Sequence, residues 1–526
     1  MHHIFYDTET TGPTPRFDQI LQAAAILTDE DFEEIDTIDE RSRLNAHIVP
    51  TPGALKVTGV DPYDIARAPH SGYEFAHKIH LTFSEWSRNG ASFDGWNTLR
   101  FDEEILRQMF WETLHDPYVT SGRRNRRNDW LTVVRALHAR NPDVIDFPTD
   151  PDTGKKNFKL ENLAPLNGFQ GHDAHDALGD NRATIHMARL IRDVDPALFE
   201  HMLSMGNAGT ATDFVDSQVV FQLLGGPMVN PGVLDVCMVA TEPRNPKNKT
   251  AWNLAVDPTP YLDLAPGEIL EKMKTSGTPF RSVKCNKQPA AFPMNWGFLH
   301  RVSTETYSPA SPEEIDARAE MIRAHEGFQK ATAEALALKA AEYDAPDTLE
   351  EKIYSGFPSY DDKARMRRFH DTPDWERRLD VVRSFEKPEL RQLGLRTIFL
   401  NAPEVLGPDL RTQIDARLAR DRFTLETDRP WNTVGKMMAE LDRMDAETPG
   451  DPVLSNIRAW ALDTYPVARE WTGTPPEKAD SGTTQDVPED STSPRTAPVS
   501  GTPEEAADQP GTARTVRKAH YLDGLE

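Results

Sequence analysis

The stretch His3-Ile-Phe-Tyr-Asp-Thr-Glu-Thr-Thr-Gly12 places two carboxylates directly after an apolar run. Such a run predicts a buried strand, and residues i and i+2 of a strand point to the same face of a sheet. Asp7 and Glu9 therefore project together. Their negative charges repel each other, and a bound divalent cation would stabilise the pair. Because the ligand atoms are all oxygens, the expected cation is Mg²⁺ or Mn²⁺. A solvated acidic strand end would give the same pattern, so this fragment leaves both interpretations open.

Two later segments add acids and a histidine. Ser92-Phe-Asp-Gly-Trp96 predicts another strand, and Asp102 opens the helix that follows, where it could simply interact with the positive helix N-terminus. His175 and Asp180 lie near the start of a third predicted element, a helix, in H-x-x-x-x-D spacing. A histidine in that position is often a cap or a surface group, so each segment taken alone also has a structural explanation.

The arrangement of these signals predicts the domain organisation. Residues 1–196 alternate strand signals (3–7, 23–28 and 92–96) with amphipathic helices (102–114 and 176–192), which is typical of an α/β domain. Residues 197–344 carry short apolar runs between Pro, Gly and Asn turns and then a helical stretch, which predicts a β-rich module with a helical extension. Residues 345–471 predict a helical C-terminal domain, and residues 472–526, rich in Pro, Ser, Thr and acids, predict a disordered tail.

Composition narrows the class of protein. The chain has 526 residues, 84 acidic and 59 basic, and a net charge of −25, which argues against nonspecific coating of nucleic acid but leaves room for a local basic groove. No run approaches the roughly 20 apolar residues of a membrane span, and the first residues lack a signal peptide. Cys237 and Cys285 are too few for a disulfide scaffold or a cysteine zinc site. We therefore expect a cytoplasmic protein without a membrane partner.

Taken together, the three segments carry the motifs F-x-D-T-E-T-T-G, N-x-x-x-F-D and H-D-A-x-x-D in order within one domain. This set resembles the DEDDh family of 3′→5′ exonucleases, whose catalytic domain has an RNase H-like α/β fold. Two later segments, Asn286-Lys-Gln-Pro289 and Ile353-Tyr-Ser-Gly-Phe357, resemble parts of the small SH3-like β-barrel module and the α-helical C-terminal domain of the exodeoxyribonuclease I subfamily. The resemblance covers about residues 1–470 and leaves only the tail unmatched.

The resemblance implies a site and a reaction. Asp7, Glu9, Asp102 and Asp180 would hold two Mg²⁺ ions, with Mn²⁺ as a possible substitute, and His175 would act as the general base. The substrate would be single-stranded DNA, degraded from its 3′ end to 5′-mononucleotides. Members of the family also bind the acidic tail of single-stranded-DNA-binding protein, so that partner is implied by resemblance only, without an assigned pocket.

Basic and aromatic residues suggest how a strand would be held. The run Gly122-Arg-Arg-Asn-Arg-Arg127 is a candidate phosphate-tracking edge, and a solvated loop is the alternative. Base stacking on aromatic rings needs no particular sequence, although core packing is the commoner role of such rings. The expected substrate-binding residues are Glu9, Thr10, Arg123, Arg124, Arg127, Trp130, Phe158 and Lys159. Lys159 stands where a well-known family member has an arginine, so it keeps the charge and loses the bidentate fork.

Two other functions fit parts of this pattern. The same metal site would serve a 3′→5′ exoribonuclease, because discrimination depends on how a terminal 2′-hydroxyl is received near Thr8 or Thr10. A non-catalytic single-strand-binding recruitment protein is the alternative from another class. Intact acids at all four positions argue against it.

Overall fold

A computed structural model describes residues 1–151, 153–170, 176–227, 229–302, 309–342 and 348–474. Within the first 217 residues, strands and helices alternate as the sequence predicts. The strands are β1 (His3–Thr10), β2 (Ile20–Thr28), β3 (Glu34–Arg41), β4 (Ser92–Gly95) and β5 (Arg126–Asp129). The helices are α1 (Pro52–Thr58), α2 (Pro62–Ile65), α3 (Gly72–Trp86), α4 (Asp102–Glu112), α5 (Trp130–Arg140), α6 (Leu160–Leu166), α7 (Ala177–Val194), α8 (Pro196–Met205) and α9 (Ala208–Ser217).

The five strands form one mixed sheet in the order β3-β2-β1-β4-β5. Strands β1, β4 and β5 are parallel, whereas β2 and β3 run antiparallel to β1. Helices cover both faces of the sheet. Apolar side chains of α3 and α4 pack with Ile4 and Tyr6 on one face, and those of α5 and α7 pack with Phe5 on the other. The α/β prediction is confirmed, and the strand ends are left free to carry polar groups.

The next region is built on a second sheet. Its strands are β6 (Phe221–Gly225), β7 (Gly232–Thr241), β8 (Asn248–Asn253), β9 (Phe280–Lys284) and β10 (Ala291–Phe292), all antiparallel in the order β10-β6-β7-β8-β9. Three helices accompany it, α10 (Pro266–Met273), α11 (Pro312–Ala324) and α12 (Glu326–Ala341). This antiparallel sheet confirms the β-rich prediction.

Helices make up the regular structure of the last described region, as the periodicity predicts, apart from short 3₁₀ turns. They are α13 (Tyr360–Asp371), α14 (Trp375–Ser384), α15 (Pro388–Asn401), α16 (Pro408–Arg422), α17 (Val434–Glu447) and α18 (Pro452–Thr464). Helices α17 and α18 pack on Leu21, Val49 and Leu55 of the first region, while α13 to α15 pack around Trp111 of α4. The helical region is therefore joined to the first region by two apolar cores.

Some predictions are not decided by this fold. Among the described helices, none combines the length and the apolar character needed to cross a membrane. The tail predicted from residue 472 lies outside the described residues from 475 onward. The domain boundaries at 196, 344 and 471 stay predictions from the sequence.

Candidate active site

The second half of β1 carries the first two acids. Asp7 is paired with Ala24 and Glu9 with Gln22 on β2, and a register shift after Glu9 ends the regular pairing. Because side chains alternate along a strand, both carboxylates point to the face of the sheet that α7 covers. Asp7 is partly buried and Glu9 is buried. The D-x-E spacing therefore produces the shared face that the sequence predicts.

Helix α7 brings the third acid to this face. The helix lies across β1 and β2, and its buried Asn181 donates a hydrogen bond from Nδ2 to the carbonyl of Ala24 at 2.9 Å. Asp180 precedes Asn181 in the first turn of the helix. Carboxylate oxygens of Asp7, Glu9 and Asp180 lie within 4.8 Å of one another. Residues almost 175 positions apart in sequence thus meet at one end of β1.

Asp102 approaches from the other side of the sheet. It is the first residue of α4, and its Oδ1 accepts a hydrogen bond from the Thr8 hydroxyl at 2.5 Å. Thr8 lies between Asp7 and Glu9 and points to the opposite face. The charge of Asp102 nevertheless acts on both neighbours, because it raises the pKa of Asp7 and of Glu9. Four acids therefore surround the end of β1.

Burial and mutual repulsion raise the pKa values of these acids. For Glu9, burial acts first and the charges of Asp180 and Asp102 follow, so that its pKa rises to about 8. Burial raises the pKa of Asp102 to about 7 in spite of the hydrogen bond from Thr8. The pKa of Asp7 is raised well above its usual value by burial, then by Asp102 and Asp180. The ionised form of this set is disfavoured until a cation joins it.

The donor set fits divalent metal ions. Its contributing atoms are carboxylate oxygens, the ligands that Mg²⁺ and Mn²⁺ prefer, whereas structural zinc sites favour sulfur and nitrogen. Metal ions also invert the pKa argument, because a nearby dication favours the ionised carboxylates that burial disfavours. Asp7, Glu9 and Asp180 are the residues placed to bind such ions directly, with Asp102 beside them.

Three further side chains border the site, and sequence patterns did not indicate them. Glu9, Gln22 and Arg41 form one row across β1, β2 and β3. Gln22 donates from Nε2 to Asp176 Oδ1 at 3.1 Å, and a guanidinium nitrogen of Arg41 lies 3.8 Å from the same carboxylate. The Arg41 charge lowers the pKa of Glu9. Strand pairing alone creates this row, so only the register could have revealed it.

Comparison with known proteins agrees with this geometry. The exonuclease family model RNase_T matches residues 4–188. Exodeoxyribonuclease I of Escherichia coli strain K12 is 29% identical over 385 residues, which cover 69% of this chain and 78% of that protein. The chain is similar to exodeoxyribonuclease I over most of its length, and its first region matches the exonuclease family model. The named relatives and the matched exonuclease domain show that the protein is a nuclease.

Solved structures extend the likeness beyond the first domain. Exonuclease I from Methylocaldum szegediense has a TM-score of 0.77 at 27% identity, covering 88% of this chain and 99% of that one. Escherichia coli exonuclease I in complex with a dA16 oligonucleotide has a TM-score of 0.76 at 23% identity, again over 88% and 99%. The exonuclease I fold therefore includes the β-rich and helical regions.

Two predicted base-stacking residues do not lie on a surface. Trp130 is fully buried and its ring stacks near Phe5 in the core between the sheet and α5. Phe158 is 5% exposed and packs against Phe147 and His138. The prediction that these rings stack on bases is wrong, because neighbouring helices and loops cover their faces.

The arginine-rich run is also placed differently from the prediction. Arg127 belongs to β5 and is buried, with its guanidinium 2.9 Å from Glu103 and donating to the Asn286 carbonyl at 2.5 Å. It therefore joins the first region to the β-rich region and does not form a phosphate-tracking edge. The local reason is that Glu103, fully buried beneath it, requires a cation.

Arg123 and Arg124 are exposed, but they lie at the end of the sheet opposite to the acids. Strand β5 is parallel to β4 and β1, and its first residue is level with His3. Both arginines precede that level. Glu9 lies six residues after His3, which corresponds to roughly 20 Å at about 3.3 Å per residue. The structure therefore places neither arginine beside the metal site, and their contact with phosphates stays a prediction.

The other predicted contacts are compatible with the site or lie outside the described residues. Thr10 is buried and its hydroxyl donates to the Gly12 carbonyl at 3.0 Å. Lys159 is exposed directly before α6, which packs against α7, and its Nζ lies 3.2 Å from Glu161. His175, the predicted general base, falls in residues 171–175, which lie outside the described residues.

The two other regions meet the first one beside Asp102. Glu104, two residues further along α4, accepts a hydrogen bond from Lys287 Nζ at 2.9 Å and from the Tyr354 hydroxyl at 2.7 Å. Lys287 follows β9 of the β-rich region, and Tyr354 precedes the helices of the last region. Gln288 of the β-rich region is buried, and its Oε1 accepts a hydrogen bond from the Asp129 amide at 2.7 Å. All three regions therefore converge on the first turn of α4.

Proposed function

We propose that this protein is an Mg²⁺-dependent nuclease that degrades single-stranded DNA from the 3′ end and releases 5′-mononucleotides. The observation that carries the proposal is that carboxylate oxygens of Asp7, Glu9 and Asp180 lie within 4.8 Å of one another. Asp102 lies beside them, where it accepts a hydrogen bond from the hydroxyl of Thr8. Relatives named exodeoxyribonuclease I and a neighbour solved with a dA16 oligonucleotide support the substrate, and the motif resemblance to 3′→5′ exonucleases supports the polarity.

In this proposal the four acids hold two Mg²⁺ ions, and Mn²⁺ can substitute. When bound, such ions activate a water for attack on the terminal phosphodiester and stabilise charge on the departing 3′-oxygen. Four ionised carboxylates balance the charge of two dications, which is why raised pKa values in the metal-free protein suit the role. His175, one residue before Asp176, is proposed as the general base that accepts the proton of the attacking water.

We propose that the strand reaches the site through a passage between the three regions. The convergence of Lys287, Tyr354 and α4 on Glu104 supports this, because it places both accessory regions beside the acids. The five-stranded antiparallel sheet would be the SH3-like module of the family. A passage bounded in this way excludes a duplex by size, so the preference for single strands would not require contacts with base edges.

Single-stranded-DNA-binding protein is the proposed protein partner. A structural neighbour described as SSB/exonuclease I supports it, together with the family resemblance. Recruitment by that protein would bring the nuclease to exposed single strands without adding to the specificity of the active site.

Digestion of end-labelled oligonucleotides tests the function. A 5′-labelled single strand incubated with Mg²⁺ should shorten progressively, and a 3′-labelled strand should lose its label first as a mononucleotide. Asp7→Ala should abolish both effects, whereas Asp31→Ala, in an exposed turn between β2 and β3, should not. Persistence of both labels with the unmodified protein would reject the proposal. Matched RNA strands distinguish the exoribonuclease alternative.

A further inference from the structure

Four histidines meet where the helical region packs against the first region. His77 and His80 lie on α3, His115 follows the end of α4, and His370 lies near the end of α13. One ring nitrogen each of His77, His115 and His370 lies within 4.8 Å of the other two. Elements far apart in sequence thus bring three imidazoles to one place.

This histidine cluster is separate from the acids of the active site. Asp102 begins α4, whereas His115 lies just beyond its end, where its amide donates to the Phe110 carbonyl at 2.8 Å. The helix has 11 residues, so its length is about 16 Å at 1.5 Å per residue. The acids and the histidines are therefore two different donor sets.

The hydrogen bonds of His370 leave one of its nitrogens available as a ligand. Its Nε2 lies 2.9 Å from the Leu114 carbonyl, which can only accept, so the proton of the neutral ring is assigned to Nε2. The bare Nδ1 then accepts from the Tyr73 hydroxyl at 3.0 Å. A metal-binding imidazole commonly donates its other N–H to a backbone carbonyl, and His370 is already oriented in this way.

His115 is arranged in a similar way. The Thr113 hydroxyl donates its one proton to the Met109 carbonyl at 2.7 Å, so it accepts from His115 Nδ1 at 2.9 Å. The Nε2 of His115 is therefore bare, and it lies 3.0 Å from Nδ1 of His77. Two nitrogens bound to one tetrahedral zinc ion are about 3.3 Å apart, because each Zn–N bond is about 2.0–2.1 Å long. The spacing of these two nitrogens already suits a shared ion.

The surroundings keep these imidazoles neutral, which is the form that binds a metal ion. Burial lowers the pKa of His115 well below its usual value and that of His370 to about 3. Burial and then Arg378 lower the pKa of His77, whereas Asp371 raises it. The charge of Arg378 acts against a bound cation and that of Asp371 acts in its favour. No proton has to leave His115 or His370 before an ion binds.

His80 adds an unsatisfied nitrogen beside the cluster. Its ring lies 4.9 Å from that of His115, and its Nε2 is buried without a hydrogen-bond partner in the part of the chain that the structure describes. Buried polar atoms nearly always have a partner. This unpartnered nitrogen is a second sign, independent of the spacing of the other three, that the cluster receives a ligand.

We propose that His77, His115 and His370 bind one Zn²⁺ ion, with water in the fourth position. Imidazole nitrogen suits zinc, whereas Mg²⁺ prefers oxygen ligands. The ion takes the place of the proton on His77 Nδ1, and this partly exposed ring then carries its proton on Nε2. Because the ligands come from α3, from the end of α4 and from α13, the ion joins the first region to the helical region and stabilises the fold.

Zinc titration in excess Mg²⁺ tests the site, because Mg²⁺ competes for carboxylates and not for imidazoles. Isothermal titration calorimetry of the full chain, purified free of metal, should show one Zn²⁺ ion lost on replacing His77 by Gln. His77→Gln should weaken its binding at least about 100-fold, since loss of a hydrogen-bond partner of a ligand alone costs about 10–100-fold. His2→Gln, which replaces an exposed histidine at the start of the chain, should bind zinc as the unmodified protein does.

Two further variants separate the histidines from the acids and from simple packing. A Glu9→Gln, Asp180→Asn double variant should still bind the ion, because its ligands are not carboxylates. Thr113→Val removes the acceptor of the His115 Nδ1 proton and should weaken zinc binding about 10–100-fold. Zinc should also raise the midpoint of thermal unfolding of the unmodified protein and of the double variant, and leave that of His77→Gln unchanged.

The outcomes are independent of the proposed function. Equal zinc binding by the unmodified protein and His77→Gln, or no binding by either, would overturn the site and leave the histidines as a hydrogen-bonded stack. Zinc binding that disappears in the double variant would assign the ion to the acids and would also overturn it. Digestion of single strands is measured separately, so failure of the zinc site leaves the nuclease proposal standing.

Discussion

Asp102 and Glu103 are adjacent in α4, and both carboxylates are buried, yet their surroundings are opposite. Glu103 accepts hydrogen bonds from Arg107 at 2.5 Å, Arg127 at 2.9 Å and the Thr120 hydroxyl at 2.8 Å. Burial would raise its pKa, but the charges of Arg107 and Arg127 outweigh it and hold the pKa at about 2. Glu103 is therefore an ionised carboxylate that is fully matched within the chain.

Asp102 has no comparable set of cations among its described contacts. It receives one hydroxyl, from Thr8, and burial raises its pKa to about 7. Depth cannot explain the contrast, because both side chains are buried; the charges around them do. A carboxylate matched by arginines stabilises the fold, whereas one left among other acids keeps its coordination sites for a cation from solution.

The largest effect is expected on catalytic activity when an acid of the candidate metal site is replaced. Replacing Asp180 by Asn removes a carboxylate ligand, and loss of several kcal/mol of transition-state stabilisation corresponds to a fall of at least about 10³-fold in rate. Initial rates of mononucleotide release under saturating Mg²⁺ measure it. A variant with half the normal rate would remove Asp180 from the site.

The matched carboxylate should show its effect in stability. Glu103→Gln removes the negative partner of Arg127 and leaves Arg107 only Glu104, at 3.7 Å, so it should lower the free energy of unfolding by about 3–5 kcal/mol. Asp102→Asn, the parallel change one residue away, should leave the metal-free protein equally or more stable, because it removes a repelling charge. Urea denaturation without metal measures both. Equal destabilisation by the two variants would contradict the contrast.

The pH dependence of stability should also reveal the unmatched acids. In the fold Glu9 keeps its proton up to about pH 8, whereas in the unfolded chain it loses it near 4.5. The folded state binds more protons in this window, so metal-free stability should fall as pH rises from about 5 to 8. The slope approaches about 1.4 kcal/mol per pH unit for each such carboxyl. Saturating Mg²⁺ should flatten the curve, and a metal-free stability that rises over this range would contradict the account.

The smallest effect is expected far from both carboxylates. Arg123→Ala and Arg124→Ala should change kcat/KM on single strands by less than about twofold, because these side chains lie roughly 20 Å from Glu9 by the strand spacing. Steady-state digestion of a fixed oligonucleotide measures this. A tenfold loss would show that the strand also contacts the opposite end of the sheet.

Strands with continuous apolar runs could be predicted from the sequence, and edge strands could not. β1 and β2 show such runs and were expected. β4, which reads Ser-Phe-Asp-Gly and is central in the sheet, was also expected, although only Phe93 is apolar. β3 reads Glu-Ile-Asp-Thr-Ile-Asp-Glu-Arg and β5 reads Arg-Arg-Asn-Asp, so neither carries an apolar signal. These two segments form strands because they pair with β2 and β4, and the sequence of each segment alone does not contain that information.

The acids of the site could be predicted, but the strand-binding residues could not. Asp7, Glu9 and Asp180 are identified by residue type and spacing, since few other roles bring such motifs together. A ring's role depends on what covers it. Trp130 lies three residues after the arginine-rich run yet is buried, whereas Phe357 is exposed in a segment noted only for its resemblance. Proximity to charge in sequence does not indicate depth in the fold.

The number of Mn²⁺ ions bound by the protein, counted by electron paramagnetic resonance in a titration, tests the central claim most directly. Carboxylate sites bind this ion readily, and its free form gives a distinct signal. The unmodified protein should bind two ions with a nonhydrolysable strand present, and Glu9→Gln should lose at least one of them. Equal numbers of tightly bound ions in both proteins would contradict the assignment of these acids as metal ligands.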